Sequence, residues 1–255
     1  MSIARKAENK WVDSMWRNPN AELRMFCFPY AGGSAQIFAS WWRSLPDFVQ
    51  VVPVQLPGRG SRISETPWRR IDHLADAITD DLLPVFEEKP FVFFGHSMGA
   101  TIAFEVARKL RRDQGIQPTH LFVSGCCCPQ EVGDHYREDL KEEVEIKDTL
   151  RRYAGTPPEV LEHPELMGVF EPIIRADFAV CRSYFYSPEP PLDCPVSVFG
   201  GLEDADVSRE CLQGWGNQTT RSFRVRMIPG GHFFLNNAES LVVESIARDL
   251  HQTRL

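Results

Sequence analysis

The chain has 255 residues, 43% hydrophobic and 25% charged, with a net charge of −7 at neutral pH. Those values suit a globular protein, and a single α/β domain commonly reaches this length. They argue against a nucleic-acid partner, which needs a basic face, and no apolar run reaches the ~18 residues of a membrane-spanning helix.

Residues 1–22 are polar, with Trp11 and Trp16, and suggest an extension lying on the body. They lack the apolar core of a secretory signal, so the cytoplasm is the expected setting. Leu23–Phe28 is rich in apolar residues and stopped by Pro29, the first expected strand. Tyr30-Ala31-Gly32-Gly33 follows as a loop where backbone can approach a ligand. Ser34–Leu45 is expected as a helix ended by Pro46, then Phe48–Val54 as the second strand. Gln55–Pro67 is a Pro- and Gly-rich loop. Trp68–Phe86 places Ile71, Leu74, Ala75, Ile78, Leu82 and Val85 at helical spacing with one buried face.

Phe91–Phe94 is the third strand, and Gly95-His96-Ser97-Met98-Gly99 follows at once. This Gly-x-Ser-x-Gly, between an apolar strand and the helical pattern of Met98–Arg112, is a nucleophile elbow. The turn exposes the Ser97 hydroxyl above the sheet, over the free N–H groups of a helix N-terminus. Leu121–Ser124 is the fourth strand. Strands alternating with helices predict a mostly parallel sheet covered on both faces.

Cys126–Ser187 contains no good strand. Arg137–Arg152 is rich in charge and helix formers, Thr156-Pro157-Pro158 interrupts, and Glu165–Tyr186 has helical spacing with a break or kink expected at Pro172. An insertion of that length, residues 126–187, is expected to be a helical lid over the strand ends, where open α/β sheets bind ligands. Seven cysteines include the run Cys126-Cys127-Cys128 but no C-x-x-C pair. Small buried thiols in a reducing compartment are expected, rather than a metal or redox site. Val196–Phe199, a helix over Ser208–Gln218, the strand Phe223–Ile228, the loop Pro229-Gly230-Gly231-His232 and a helix over Glu239–Leu250 complete a single domain.

An elbow serine of this type takes its partners in the chain order Ser, acid, His. His232 directly follows the last strand, whereas His251 lies at the fraying terminus. Asp204 ends a strand at the correct sheet edge, with Asp206 as its rival; Asp193 precedes its strand and Asp177 lies in the insertion. Two backbone N–H groups would complete an oxyanion hole, one from Met98 after the nucleophile and one from the loop after the first strand, at Ala31 or a residue next to it. His96 is expected to be packed, His73 and His163 to lie on the surface, and Cys27 to lie in the core.

Five motifs stand in order: Phe28-Pro29-Tyr30-Ala31-Gly32-Gly33, Leu56-Pro57-Gly58-Arg59, Phe94 to Ala100, Arg175-Ala176-Asp177 and Pro229 to Phe233. From about residue 20 onward the chain resembles the type II thioesterases of the α/β-hydrolase superfamily, which accompany polyketide and non-ribosomal peptide synthases. The fatty-acid-synthase-associated thioesterase is related to them. The resemblance implies hydrolysis of acyl thioesters from the phosphopantetheine arm of an acyl- or peptidyl-carrier protein, often to clear stalled units. It implies Ser97, Asp204 and His232 as catalytic triad, Ala31 and Met98 as oxyanion donors, and no metal or cofactor of its own. A monomer is expected.

Carrier domains are usually acidic, and Arg59, Arg62, Arg69 and Arg70 could offer local positive charge, or could simply hold their own loop. Release of medium-chain fatty acids, a small-ester or lipid esterase, and a non-catalytic binding protein are the alternatives.

Overall fold

The computed structural model describes residues 9–12, 18, 20–139, 146–153 and 158–253. Six strands form one sheet: β1 (Leu23–Phe28), β2 (Val49–Pro53), β3 (Phe91–His96), β4 (Leu121–Ser124), β5 (Val196–Gly201) and β6 (Phe223–Ile228). Their spatial order is β2-β1-β3-β4-β5-β6, and every pairing is parallel. The chain leaves β1 outward to β2, then returns across it to β3 and proceeds the other way. The C-terminal ends of β1 and β3 therefore flank the switch point, where the diverging connections leave a crevice.

Both faces of the sheet are covered at its centre, which is why β3 and β4 are buried on successive residues, whereas the edge strand β6 alternates Arg224 and Arg226 with apolar residues. Phe26, Phe28, Phe91 and Phe93 pack on one side with α1 (Ile71–Phe86) and α2 (Met98–Gln114). Met25, Cys27, Val92 and Phe94 pack on the other with α8 (Leu235–Thr253). Trp11 is fully buried and its indole N–H donates to Asp81 at 2.7 Å. Trp16 lies outside the described residues.

Between β4 and β5 run α3 (Pro129–Asp139), α4 (Ile146–Tyr153), α5 (Pro158–Leu161) and α6 (Pro164–Arg182), followed after β5 by α7 (Arg209–Gln213). Of the break or kink expected at Pro172, the break does not occur: α6 continues through it. Pro172 and Gly168, whose carbonyl loses its partner, are both exposed, so water can take the place of the missing N–H. Most of the Thr156-Pro157-Pro158 interruption lies outside the described residues.

Two expected helices are shortened. Ser34–Leu45 forms two 3-10 turns, Ala35–Phe38 and Trp41–Arg43. The buried side chains Ala35, Phe38 and Trp41 recur every third residue, and 3-10 geometry aligns that spacing on one face. Ser208–Gln218 divides into α7 and a 3-10 turn from Gly214 to Gln218. A Cβ at Gly214 would lie 2.4 Å from the Cys128 sulfur, so this backbone runs against the strand-end loop.

Cys127 and Cys211 form a disulfide, with Cα atoms 4.9 Å apart and 84 residues between them in sequence. The expectation of buried thiols thus fails for this pair and holds for Cys27, Cys126, Cys128, Cys181 and Cys194. The loop leaving β4 meets α7 only in the folded sheet, at a separation that permits a bridge. Among the described residues, no helix is long and apolar enough to cross a membrane.

Candidate active site

At the end of β3 the backbone turns abruptly into α2. Ser97 has φ 52° and ψ −121°, the single non-glycine positive φ among the described residues. Such a conformation costs of order 1–3 kcal/mol and persists only where the surroundings impose it. A Cβ at Gly95 would sit 2.2 Å from the Gly99 carbonyl oxygen, and one at Gly99 would sit 2.1 Å from the Phe28 carbonyl oxygen. Glycine at both positions lets the elbow close and lets α2 touch the end of β1. The Ser97 N–H donates to the Ser124 carbonyl at 2.8 Å, which ties the elbow to β4.

The end of β5 and the loop after β6 also meet through absent side chains. A Cβ at Gly201 would lie 2.5 Å from the Gly231 carbonyl oxygen. This contact brings Asp204 beside His232, and the structure joins the three predicted side chains. His232 Nδ1 lies 2.8 Å from Asp204 Oδ2, and His232 Nε2 lies 3.1 Å from Ser97 Oγ. A carboxylate only accepts, so Nδ1 carries the proton and Nε2 is left to accept from the serine hydroxyl. The other Asp204 oxygen accepts from the N–H groups of Asp206 (3.0 Å) and Val207 (3.2 Å). Asp206, the rival acid, thus contributes backbone to hold Asp204.

His96 is fully buried behind this group, with Nδ1 2.9 Å from Ser124 Oγ and its ring centroid 5.4 Å from that of His232. Burial, reinforced by the neighbouring His232, pushes its pKa well below the usual histidine value. It packs as a neutral ring. His73 and His163 are exposed.

Ser97 and His232 open onto an apolar pocket walled by Val132, Leu150, Phe178 and Cys181. These come from α3, α4 and α6, so the insertion builds the wall facing the serine. Ala31 lines the same pocket. No bond from the N–H of Ala31 or Met98 to an acceptor is found among the described residues.

Arg59 and Arg62 do not belong to a surface patch. Both are buried. Arg62 pairs with Glu65 at 2.6 Å, donates to the Gln55 carbonyl and lies over the Trp11 ring. Arg59 pairs with Asp177, whose same oxygen accepts from the Gly32 N–H at 2.7 Å. Arginines within a Pro- and Gly-rich loop turn inward because the loop's carbonyls and a buried carboxylate need donors. Arg70 is exposed and pairs with Asp72. Asp177 is the residue that sequence reasoning passed over: its signal was the Arg175-Ala176-Asp177 motif, with no indication of what it touches.

The family model for the thioesterase domain matches residues 23–253. The gramicidin S biosynthesis protein GrsT of Aneurinibacillus migulanus is 40% identical over 242 residues, spanning 95% of this chain and 94% of its own length. Among solved structures, the RedJ thioesterase from the prodiginine biosynthetic pathway in Streptomyces coelicolor aligns with a TM-score of 0.83 at 39% identity. That alignment covers 89% of this chain and 85% of RedJ. The type II thioesterase BorB from the borrelidin biosynthetic cluster aligns with a TM-score of 0.81 at 33% identity, over 95% of this chain and 98% of BorB. With an α/β-hydrolase sheet and that domain matched from β1 through the last helix, the chain belongs to the thioesterase family and is a thioester hydrolase.

Proposed function

We propose that this enzyme hydrolyses acyl thioesters from the phosphopantetheine arm of carrier proteins, clearing stalled or wrongly loaded units from a polyketide or non-ribosomal peptide synthase. The observation that carries the chemistry is the chain of contacts from Asp204 through His232 to Ser97, at the mouth of an apolar pocket. Similarity to GrsT and BorB supports the setting.

His232 Nε2 takes the Ser97 proton as Oγ attacks the thioester carbonyl. Asp204 holds the imidazole in the tautomer that can accept it and stabilises the imidazolium. The N–H groups of Met98 and Ala31 receive the oxyanion, each worth about 3 kcal/mol in the transition state. The C–S bond breaks, and the pantetheine thiolate takes the proton from His232. Water then gives its proton to Nε2 and attacks the acyl-serine, and Ser97 leaves with that proton. No resident cofactor takes part; the phosphopantetheine belongs to the partner.

The helices α3 to α6 act as the lid, which admits the acyl chain and shields the ester from bulk water. The enzyme works as a single-domain monomer in the cytoplasm. Wild type and Ser97→Ala, offered a panel of acyl-loaded carrier domains, test the assignment. Hydrolysis by wild type alone supports it; hydrolysis that survives in Ser97→Ala refutes it.

A further inference from the structure

Asp177 belongs to α6, far from the elbow in sequence, yet it binds the loop after β1. It is 2% exposed, and one carboxylate oxygen accepts from both the Gly32 N–H and Arg59. Arg59 in turn donates to the Pro57 carbonyl at 3.0 Å. Ile174, one turn earlier on α6, lies 3.4 Å from where a Gly32 Cβ would stand. Two side chains of α6 therefore clasp the Tyr30–Gly33 turn.

The turn itself has a fixed sense. The Gly33 N–H donates to the Tyr30 carbonyl at 2.9 Å, and Gly32 takes φ +79°. That is a β-turn with positive φ at its third residue, a glycine position. In a trans peptide the N–H points opposite to the C=O. With the Tyr30 carbonyl drawn into the turn, the Ala31 N–H must point out of it. The following peptide, Ala31 to Gly32, is fixed by the bond from its N–H to Asp177. Both peptide planes flanking Ala31 are thus held, one by the turn and one by α6.

We infer that Asp177, with its charge balanced by Arg59, is a positioning residue that aims the Ala31 N–H at the oxyanion. The inference rests on the assignment of Ala31 as an oxyanion donor. It also explains why a carboxylate is buried here. An unpaired buried charge would be costly, whereas an acceptor bonded to a backbone N–H and a guanidinium keeps a loop in register. The clasp links α6 to the reacting centre.

The test compares Asp177→Leu, Asp177→Asn and the double variant Arg59→Met/Asp177→Leu with wild type. Readouts are thermal unfolding, kcat and KM on a small acyl thioester, and inhibition by a trifluoromethyl ketone that forms a tetrahedral adduct on serine. Removing both charges restores an apolar, stable contact while leaving the Gly32 N–H unclasped. The double variant should melt near wild type, lose kcat about 100-fold with KM unchanged, and bind the ketone more weakly by the same factor. Asp177→Asn keeps an oxygen acceptor and should stay within about tenfold of wild type in kcat. Wild-type kcat in a well-folded double variant overturns the inference. So does an Asp177→Asn enzyme as slow as Asp177→Leu, a comparison that decides the matter if the double variant does not fold. Wild type that neither hydrolyses the thioester nor is trapped by the ketone overturns both this inference and the proposed function.

Discussion

Replacing Asp204 by Asn tests the site at its most specific point. One Asp204 oxygen accepts from the Asp206 and Val207 N–H groups, and the other accepts from His232 Nδ1. An asparagine has one acceptor oxygen and one donor nitrogen. Its oxygen must stay with the two backbone N–H groups, since the amide NH2 placed there would face two donors. The NH2 therefore turns toward Nδ1. His232 then answers as an acceptor at Nδ1 and carries its proton on Nε2, 3.1 Å from Ser97 Oγ. In that tautomer it cannot take the serine proton. The expected loss is about 10⁴-fold in kcat, or about 5 kcal/mol, as for the equivalent change in a Ser-His-Asp protease. Substrate binding is untouched, so KM should hold. Thiol release from an acyl thioester, followed with a disulfide chromogen, measures both parameters. Asp206→Asn should leave kcat at the wild-type level. An Asp204→Asn enzyme within tenfold of wild type would refute the tautomer argument and with it the role of Asp204.

Two further predictions concern the body of the protein. His120 is buried with Nε2 3.0 Å from Ser197 Oγ, while Ser197 donates to Asp249 and His120 Nδ1 has no partner among the described residues. Burial lowers the His120 pKa to about 4. The unfolded chain binds a proton near pH 6.5 that the folded chain refuses, so stability falls as pH drops from about 6.5 to 4, by about 3 kcal/mol from this residue. His96 adds to the same acid limb, so the measurement is the difference between wild type and His120→Phe in urea melts across that range; parallel curves would sink the assignment. For the cysteines, thiol titration in denaturant should count five groups before reduction and seven after, given the Cys127–Cys211 bridge. In the native state the count should rise slowly, because burial pushes Cys126 and Cys128 up to about 11 and Cys194 up to about 12. Seven thiols without reductant would remove the bridge.

Strands β1, β4 and β6 coincide with their expected ranges: β4 is buried along its whole length, and β6, at the sheet edge, alternates Arg224 and Arg226 with apolar residues at the strand period of two. Turns and short helices were less legible. Ser34–Leu45 has helical composition, yet the positions of Phe38 and Trp41 under the sheet selected 3-10 turns. Burial overrode a weak local preference. The Cys127–Cys211 contact was hidden for another reason: nothing local to either residue shows that the loop after β4 and α7 share one end of the sheet.

The sequence by itself determined the elbow, since Gly95, Ser97 and Gly99 between an apolar strand and a helix allow one local geometry. Chain order pointed to His232 and narrowed the acid to Asp204 or Asp206, because a sheet of this topology gathers its strand ends on one edge; the fold sets the Asp204 carboxylate against His232 and uses only the Asp206 backbone N–H. Tertiary structure alone decided what Arg59 and Asp177 do. Both are charged, and locally each would be equally at home in water. They are buried only because each neutralises the other across 118 residues of chain, and the Gly32 N–H needed an acceptor where α6 crosses the loop.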